Sequence, residues 1–182
     1  MKGMKPKTIV YIAQSLDGYI ADSKGQIDWL EAIPNPDGDM MGYDLLMQDV
    51  EAIIMGRGTY ETVIGFDIEW PYQIPVYVLS SKLKAIPNHL SQKVFILNGN
   101  LDFILNTLSK KGYTGLYIDG GTTIQSFLAR DLIDELRVTT IPVLLGGGHS
   151  LFGTLETRLE WTHIKTSVYL DQLVQSHYKR KR

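Results

Sequence analysis

The stretch from Ile118 to Gly148, IDGGTTIQSFLARDLIDELRVTTIPVLLGGG, decides the fold. It opens at the end of the apolar run GLYI, which reads as a buried strand entering the pair Gly120 and Gly121. TTIQSFLARDL then reads as a helix with Thr122 or Thr123 as its cap, because a threonine hydroxyl can accept a backbone N–H that a helix start leaves unpaired. IDELRVTTIPVLL follows as a long second strand ending in three glycines. Strand, helix and strand in this order make a unit of parallel sheet, whose strands need a crossover to lie side by side.

Outward from this unit the same alternation continues. TIVYIA (Thr8 to Ala13), AIIM, IPVYVLSS and KVFIL are short runs rich in β-branched and aromatic residues, suited to strands. In GYDLLMQDV the apolar Tyr43, Leu46, Met47 and Val50 recur at helical spacing. GTYETVIGF reads as a short helix or turn. LDFILNTLSKKG reads as a helix ended by Gly112, with Lys110 and Lys111 at its negative end. The tail LEWTHIKTSVYLDQLVQSHYKR alternates apolar and polar residues, as an antiparallel hairpin near a sheet edge does.

The expected architecture is one α/β domain over residues 1–182: a mostly parallel central sheet with an antiparallel C-terminal hairpin and helices on both faces. Residues 1–6 and 179–182 are expected to be flexible ends, the terminal KRKR being a solvated tail. Residues 22–41 carry glycine and proline breaks around Trp29 and are expected to form a mobile loop over a site.

Composition narrows the function classes. With 44% hydrophobic and 21% charged residues the chain can bury a full core. A net charge of -2 gives no general reason to expect nucleic acid as a partner. The absence of cysteine excludes disulfides, thiolate zinc sites and cysteine nucleophiles. His89, His149, His163 and His177 have no mutual ligand spacing, so no metal is expected. Neither a secretory leader nor a run of roughly 18 apolar residues is evident, and the expected location is the cytoplasm.

Three strand-to-helix junctions carry chemistry. Gly56-Arg57-Gly58-Thr59 offers close backbone approach, free N–H groups and a charged donor, all suited to an anion; its plainer reading is a tight turn with a solvated arginine. Leu79-Ser80-Ser81-Lys82 places two hydroxyls and an ammonium past a strand, enough for a phosphate monoester, though also ordinary loop material. Asp119-Gly120-Gly121-Thr122-Thr123 is either a pyrophosphate cradle or a structural glycine pair. It matches neither the dinucleotide fingerprint nor the Walker loop. A dinucleotide with a pyrophosphate and an extra ribose phosphate would use all three junctions. The acids Asp17, Asp28, Asp37, Asp39 and Asp44 flank the long loop, and one could relay a proton.

The order of these pieces resembles the dihydrofolate reductase superfamily, and more closely its riboflavin-biosynthesis reductase-like branch. SLDGYIA, IDWL, MGRGTYE, WP, VYVLSSK and IDGGTTIQSFLARDLIDELRVTTIPVLLGGGHSLF carry the resemblance, in order, over residues 8–153. It implies NADPH as cofactor. Gly56, Arg57 and Thr59 match the family's phosphate-contacting junction, and Ser80, Ser81 and Lys82 its serine-bearing junction near the adenosine 2′-phosphate. Gly120, Gly121, Thr122 and Thr123 match its pyrophosphate segment, Ala13 would lie along the nicotinamide, and Trp29 matches its loop tryptophan. The insert AIPNPDGDMMG upsets the register of the family's pterin-binding acid, so Asp39 and Asp44 are alternatives for it, with Asp17 a further substrate-side candidate. The resemblance also implies a homodimer paired through the late strands. The expected activity is NADPH-dependent reduction of a small pterin-like or ribosylamino-pyrimidine-like heterocycle. The alternatives are a nucleotide-binding module without efficient turnover and a flavin or phosphosugar binder on a generic α/β sheet.

Overall fold

Alternation within each strand builds the molecule. A computed structural model describes residues 5–182. In it β1 (Lys7–Ser15) sends Ile9 to one side of the sheet and Val10 to the other, while β3 (Ala52–Gly56) divides Ile53 and Met55 from Ala52 and Ile54 in the same way. β4 (Val76–Leu79), β5 (Val94–Leu97), β6 (Gly115–Asp119) and β7 (Glu135–Ile141) pair in parallel with these two in the order β5-β4-β3-β6-β1-β7. Strands apolar on both faces need cover on both.

One cover is α3 (Leu101–Lys110) with α4 (Gly121–Ala129). Ile104, Leu105 and Leu108 from the first, and Ile124, Phe127 and Leu128 from the second, repeat every three or four residues and pack on Val10, Ile54 and Ile118. The other is α1 (Tyr43–Asp49) with α2 (Arg57–Ile64), whose Leu46 and Tyr60 pack on Ile9, Ile53 and Met55. Asn100 caps α3, its side chain accepting the Phe103 N–H at 2.8 Å.

β9 (Trp161–Tyr169) and β10 (Leu173–Arg180) form the antiparallel hairpin, with β10 seated between β7 and β9 and β9 at the edge. β2 (Tyr19–Ala21) and β8 (His149–Ser150) make a separate two-stranded sheet. Helices on both faces of a mostly parallel sheet with an antiparallel C-terminal pair are the expected architecture.

Three local expectations are corrected. The strand after α4 stops at Ile141, where Pro142 lacks an N–H and the Val143 N–H turns back to the Ile141 carbonyl. Neither threonine caps α4. Gly120, at φ +87°, holds that position without a side-chain bond. The basic tail is tied down: Arg180 lies in β10 with its Nε 2.7 Å from Asp131 Oδ1, and Arg182 pairs with Asp134. Residues 22–41 contain a 3-10 turn at Asp28–Glu31 and a clasp in which Asn35 and Asp39 exchange hydrogen bonds of 3.0 and 2.8 Å. Residues 1–4 of the expected N-terminal flexible end lie outside the described residues.

Candidate active site

Parallel strands deliver their carboxyl ends to one edge, and the chemically loaded junctions meet there. Gly56 pairs with Leu79 and Met55 with Asp119, so the ends of β4, β3 and β6 stand side by side. α2 and α4 start from two of these ends on opposite faces of the sheet, and neither start has a side-chain cap. Their first N–H groups are therefore available to an anion set between them, with both helix dipoles favouring negative charge.

The glycines at these starts are needed by the protein itself. A Cβ on Gly56 would lie 2.9 Å from Thr123 Oγ1, and one on Gly120 only 2.2 Å from Thr59 Oγ1. Each junction thus receives a threonine from the other. The Thr59 and Thr123 hydroxyls bond no partner among the described residues and sit beside the uncapped N–H groups. Hydroxyls and backbone donors together form a donor set that fits a pyrophosphate. Gly121 is occluded in the same way, by Ile20 Cδ1 at 2.6 Å, whereas Thr122 is exposed.

Arg57 is exposed and forms an i,i+4 pair with Glu61, Nη1 to Oε1 2.7 Å. Such pairs are weak in water and readily exchanged for a stronger acceptor. Ser80 closes a turn, its Oγ accepting the Lys82 and Leu83 N–H groups at 3.1 and 2.9 Å. That turn presents Ser81 and Lys82 to solvent, and Lys82 has no ion pair among the described residues. Ala13 is half-buried in β1, paired with Thr139 of β7.

Next to the α4 start is a carboxylate that the sequence motifs do not single out. Asp119 ends β6 half-buried, and its Oδ1 accepts the Gly120 N–H at 2.8 Å. Burial pushes its pKa up to about 6, although the Gly120 N–H holds it down. No ion pair to it occurs among the described residues, which leaves the desolvation uncompensated. Tyr117 donates its hydroxyl to the Tyr11 carbonyl at 2.9 Å, and the Tyr11 ring meets Tyr43 of α1 edge-on at 5.8 Å between centroids. Burial first, and then the Asp119 charge, raises Tyr43 and Tyr72 as well. Burial lifts Tyr11 to about 12. A carboxyl with a raised pKa among aromatic side chains is the arrangement a general acid needs.

Asp17 and Asp39, two of the acids chosen from sequence, make loop contacts, whereas the charge of Asp44 acts on Tyr11. Asp17 clamps two loops: Oδ1 accepts from the Ser15 hydroxyl at 2.6 Å, and Oδ2 accepts from the Gly146 N–H at 2.7 Å. The Ser15 hydroxyl leads the contacts that hold it below the usual carboxylate range. Asp39 is exposed, and its Oδ1 takes the Met41 N–H at 2.7 Å. Asp44 is exposed in the first turn of α1. Trp29 is half-buried in the 3-10 turn, its Nε1 buried without a partner among the described residues. Asp119 escaped attention because DGG reads as backbone chemistry. The tyrosines on which its charge acts, Tyr43, Tyr72 and Tyr117, come from α1, the loop before β4 and β6.

Comparisons with known proteins show the family and the fold. A family model described as the RibD C-terminal domain matches residues 6–174. The chain is 50% identical to a Shewanella sp. PV-4 protein assigned to riboflavin biosynthesis, whose crystal structure superposes with a TM-score of 0.93 over 97% of this chain and 99% of that one. It is 38% identical to a Bacillus subtilis protein, the uncharacterized YwjB, over 97% of this chain and 99% of that protein. Dihydrofolate reductase from Enterococcus faecalis, in complex with NADP(H), shares the fold at 17% identity, with a TM-score of 0.66 and coverage of 98% and 99%. Among the described residues no helix is long and apolar enough to cross a membrane. With its reductase-type fold and its junctions at one sheet edge, the chain belongs to the RibD C-terminal domain family.

Proposed function

We propose that this protein is an NADPH-dependent reductase acting on a small planar heterocycle, with Asp119 as its proton donor. The observation that carries the reading is the pair of uncapped helix starts, at Arg57 and Gly121, on adjacent strand ends beside a carboxyl raised to about 6. Thr59, Thr123 and the first N–H groups of α2 and α4 would hold the pyrophosphate. Arg57 would exchange Glu61 for a phosphate oxygen, and Ser81 with Lys82 would take the ribose phosphate that distinguishes NADPH from NADH. When bound, NADPH supplies hydride, and the protein supplies binding, orientation and electrostatics.

Asp119 Oδ1 is occupied by the Gly120 N–H, so the exchangeable proton belongs on Oδ2. From there it can pass to the substrate nitrogen or oxygen that gains negative charge as the neighbouring carbon is reduced. Tyr11, Tyr43 and Tyr72 would flank the ring and keep water from the carboxyl. Residues 22–41 would cover the site, with Trp29 as the reporter of that movement. Two copies would pair through the late strands. Exposure of Ile164, Val168 and Val174, with Val168 and Val174 cross-strand neighbours, supports this pairing, which light scattering checks.

The test is a fluorescence titration with NADPH and NADH in parallel, followed by turnover with pterins and ribosylamino-pyrimidines. NADPH should bind more tightly than NADH and quench tryptophan emission. Asp119→Asn should keep NADPH affinity and lower turnover by about 10²–10⁴-fold, the usual contribution of a general acid. Wild-type turnover should fall as pH rises above about 6, where the proton is lost. A folded sample that binds neither nucleotide overturns the proposal.

A further inference from the structure

α1 has a second flank. Away from Asp119 it faces β7, β10 and β9, and a cavity of about 240 Å³ lies between them. In-register neighbours build its floor: His177 of β10 stands between Arg137 of β7 and Lys165 of β9, and Gln175 is paired with Ser167. The helix supplies Leu45 and Asp49 to the opposite wall.

The floor holds more basic charge than its acids satisfy. Arg137 is only 9% exposed. Its Nη2 bonds Asp49 and, at 3.3 Å, Glu135, while its buried Nε has no partner among the described residues. A buried donor left unpaired costs about 1–3 kcal/mol, and more on a charged group, so it marks a place where an acceptor is missing. Glu135 cannot be that acceptor. It already serves Lys7 at 2.7 Å and His177 at 3.1 Å as well as Arg137. Lys165 lines the same cavity with no acid of its own among the described residues. Lys7, Arg137 and Lys165 thus stand against Asp49 and Glu135. The hydroxyls of Ser167 and Tyr169, also on the wall, bond nothing among the described residues.

We propose that this cavity is a binding site for a small carboxylic acid, with its carboxylate between Arg137 and Lys165 and its carbon body against Leu45. The guanidinium and ammonium supply charge-assisted donors, Ser167 and Tyr169 supply neutral ones, and the volume suits a compact acid better than a nucleotide. The cavity borders the region of Tyr11, since Tyr11 and Gln175 both bond the Met41 carbonyl, but Arg137 lies at the Asp49 end of α1, away from the helix starts proposed to hold NADPH.

Malonate is the probe, followed by calorimetry and thermal shift at pH 7, with inorganic phosphate as the competing oxyanion and NADPH titrated separately. Wild-type protein should bind malonate and melt at a higher temperature in its presence. Lys165→Gln, on an exposed edge strand, should fold normally, bind malonate at least tenfold more weakly and leave NADPH affinity unchanged. Arg137→Lys should weaken malonate further if it folds. Absence of malonate binding by the wild type overturns the proposal, as does equal binding by Lys165→Gln. Binding of phosphate in preference to malonate overturns the carboxylate assignment. Failure of NADPH to bind while malonate binds would remove the reductase reading and leave this one standing.

Discussion

Asp119 and Glu135 are both carboxylates withdrawn from water, and they end in opposite states. Burial lifts Asp119 to about 6 because its surroundings are tyrosines and one backbone N–H. Burial also pushes Glu135 upward, but Lys7, His177 and Arg137 more than compensate and carry it below the usual range. Removal from water therefore does not assign a role; the company of cations does. One acid keeps a proton it can give away, and the other is an ionised tie between β7, β10 and the chain start. His177 follows the same logic: desolvation lowers its pKa, and the nearby Arg137 and Lys7 add to that against Glu135.

The comparison breaks first at Glu135. Glu135→Gln should destabilise the fold by about 3–5 kcal/mol, because it strands Arg137 and His177 in a buried place, and urea unfolding measures it. Asp119→Asn should have the opposite sign, making the protein roughly 1–2 kcal/mol more stable at pH 8, since an ionised carboxylate in an apolar site disfavours folding. A loss of stability in that variant would show that Asp119 is paired after all.

The pH profile sharpens the same contrast. Asp119 has a raised pKa, so its native form keeps the proton that the unfolded chain has released. Stability from this group is complete below about pH 4 and declines as pH climbs toward about 6. Glu135 is depressed, so its contribution is present above the unfolded value near pH 4 and disappears as pH falls below it. Denaturation curves of the two variants across pH 3–8 should therefore diverge in opposite directions from the wild type.

Smaller effects test the cofactor side. Lys82→Ala should cost NADPH about 1–2 kcal/mol of affinity and leave NADH unchanged, the scale of one charged hydrogen bond, as a titration reads. Smallest of all, Glu61→Ala should change stability by less than about 0.5 kcal/mol, because its pair with Arg57 is exposed.

Periodicity and punctuation made the sheet, the helices and the three junctions legible from the chain alone, since alternation and glycine placement are local properties. What was hidden depended on distance along the chain. Tyr43, Tyr72 and Tyr117 meet near Asp119 from separate segments of the chain, and it is burial among distant residues that raises this acid. Arg137 sits in an ordinary alternating strand and shows its orphaned Nε only when β10 and α1 close around it. KRKR looked like solvated charge because its partners, Asp131 and Asp134, lie about 50 positions earlier. The helix cap was misread for a local reason, since a glycine in the left-handed region can end a strand and begin a helix with no hydroxyl to help.

The position of β10 bears on how the molecule is made. β10 follows β9 in the chain, yet it lies inside the sheet, and β9 has no other neighbour in it among the described residues. Parallel pairing of β1 with β6 and β7 involves neither β9 nor β10, and β10 must then add to the free side of β7. Until then the open edge of β7 is exposed to any other extended segment. A chain cut between β7 and β9 would keep that edge open, so docking of β10 both completes the sheet and shields β7 from other chains.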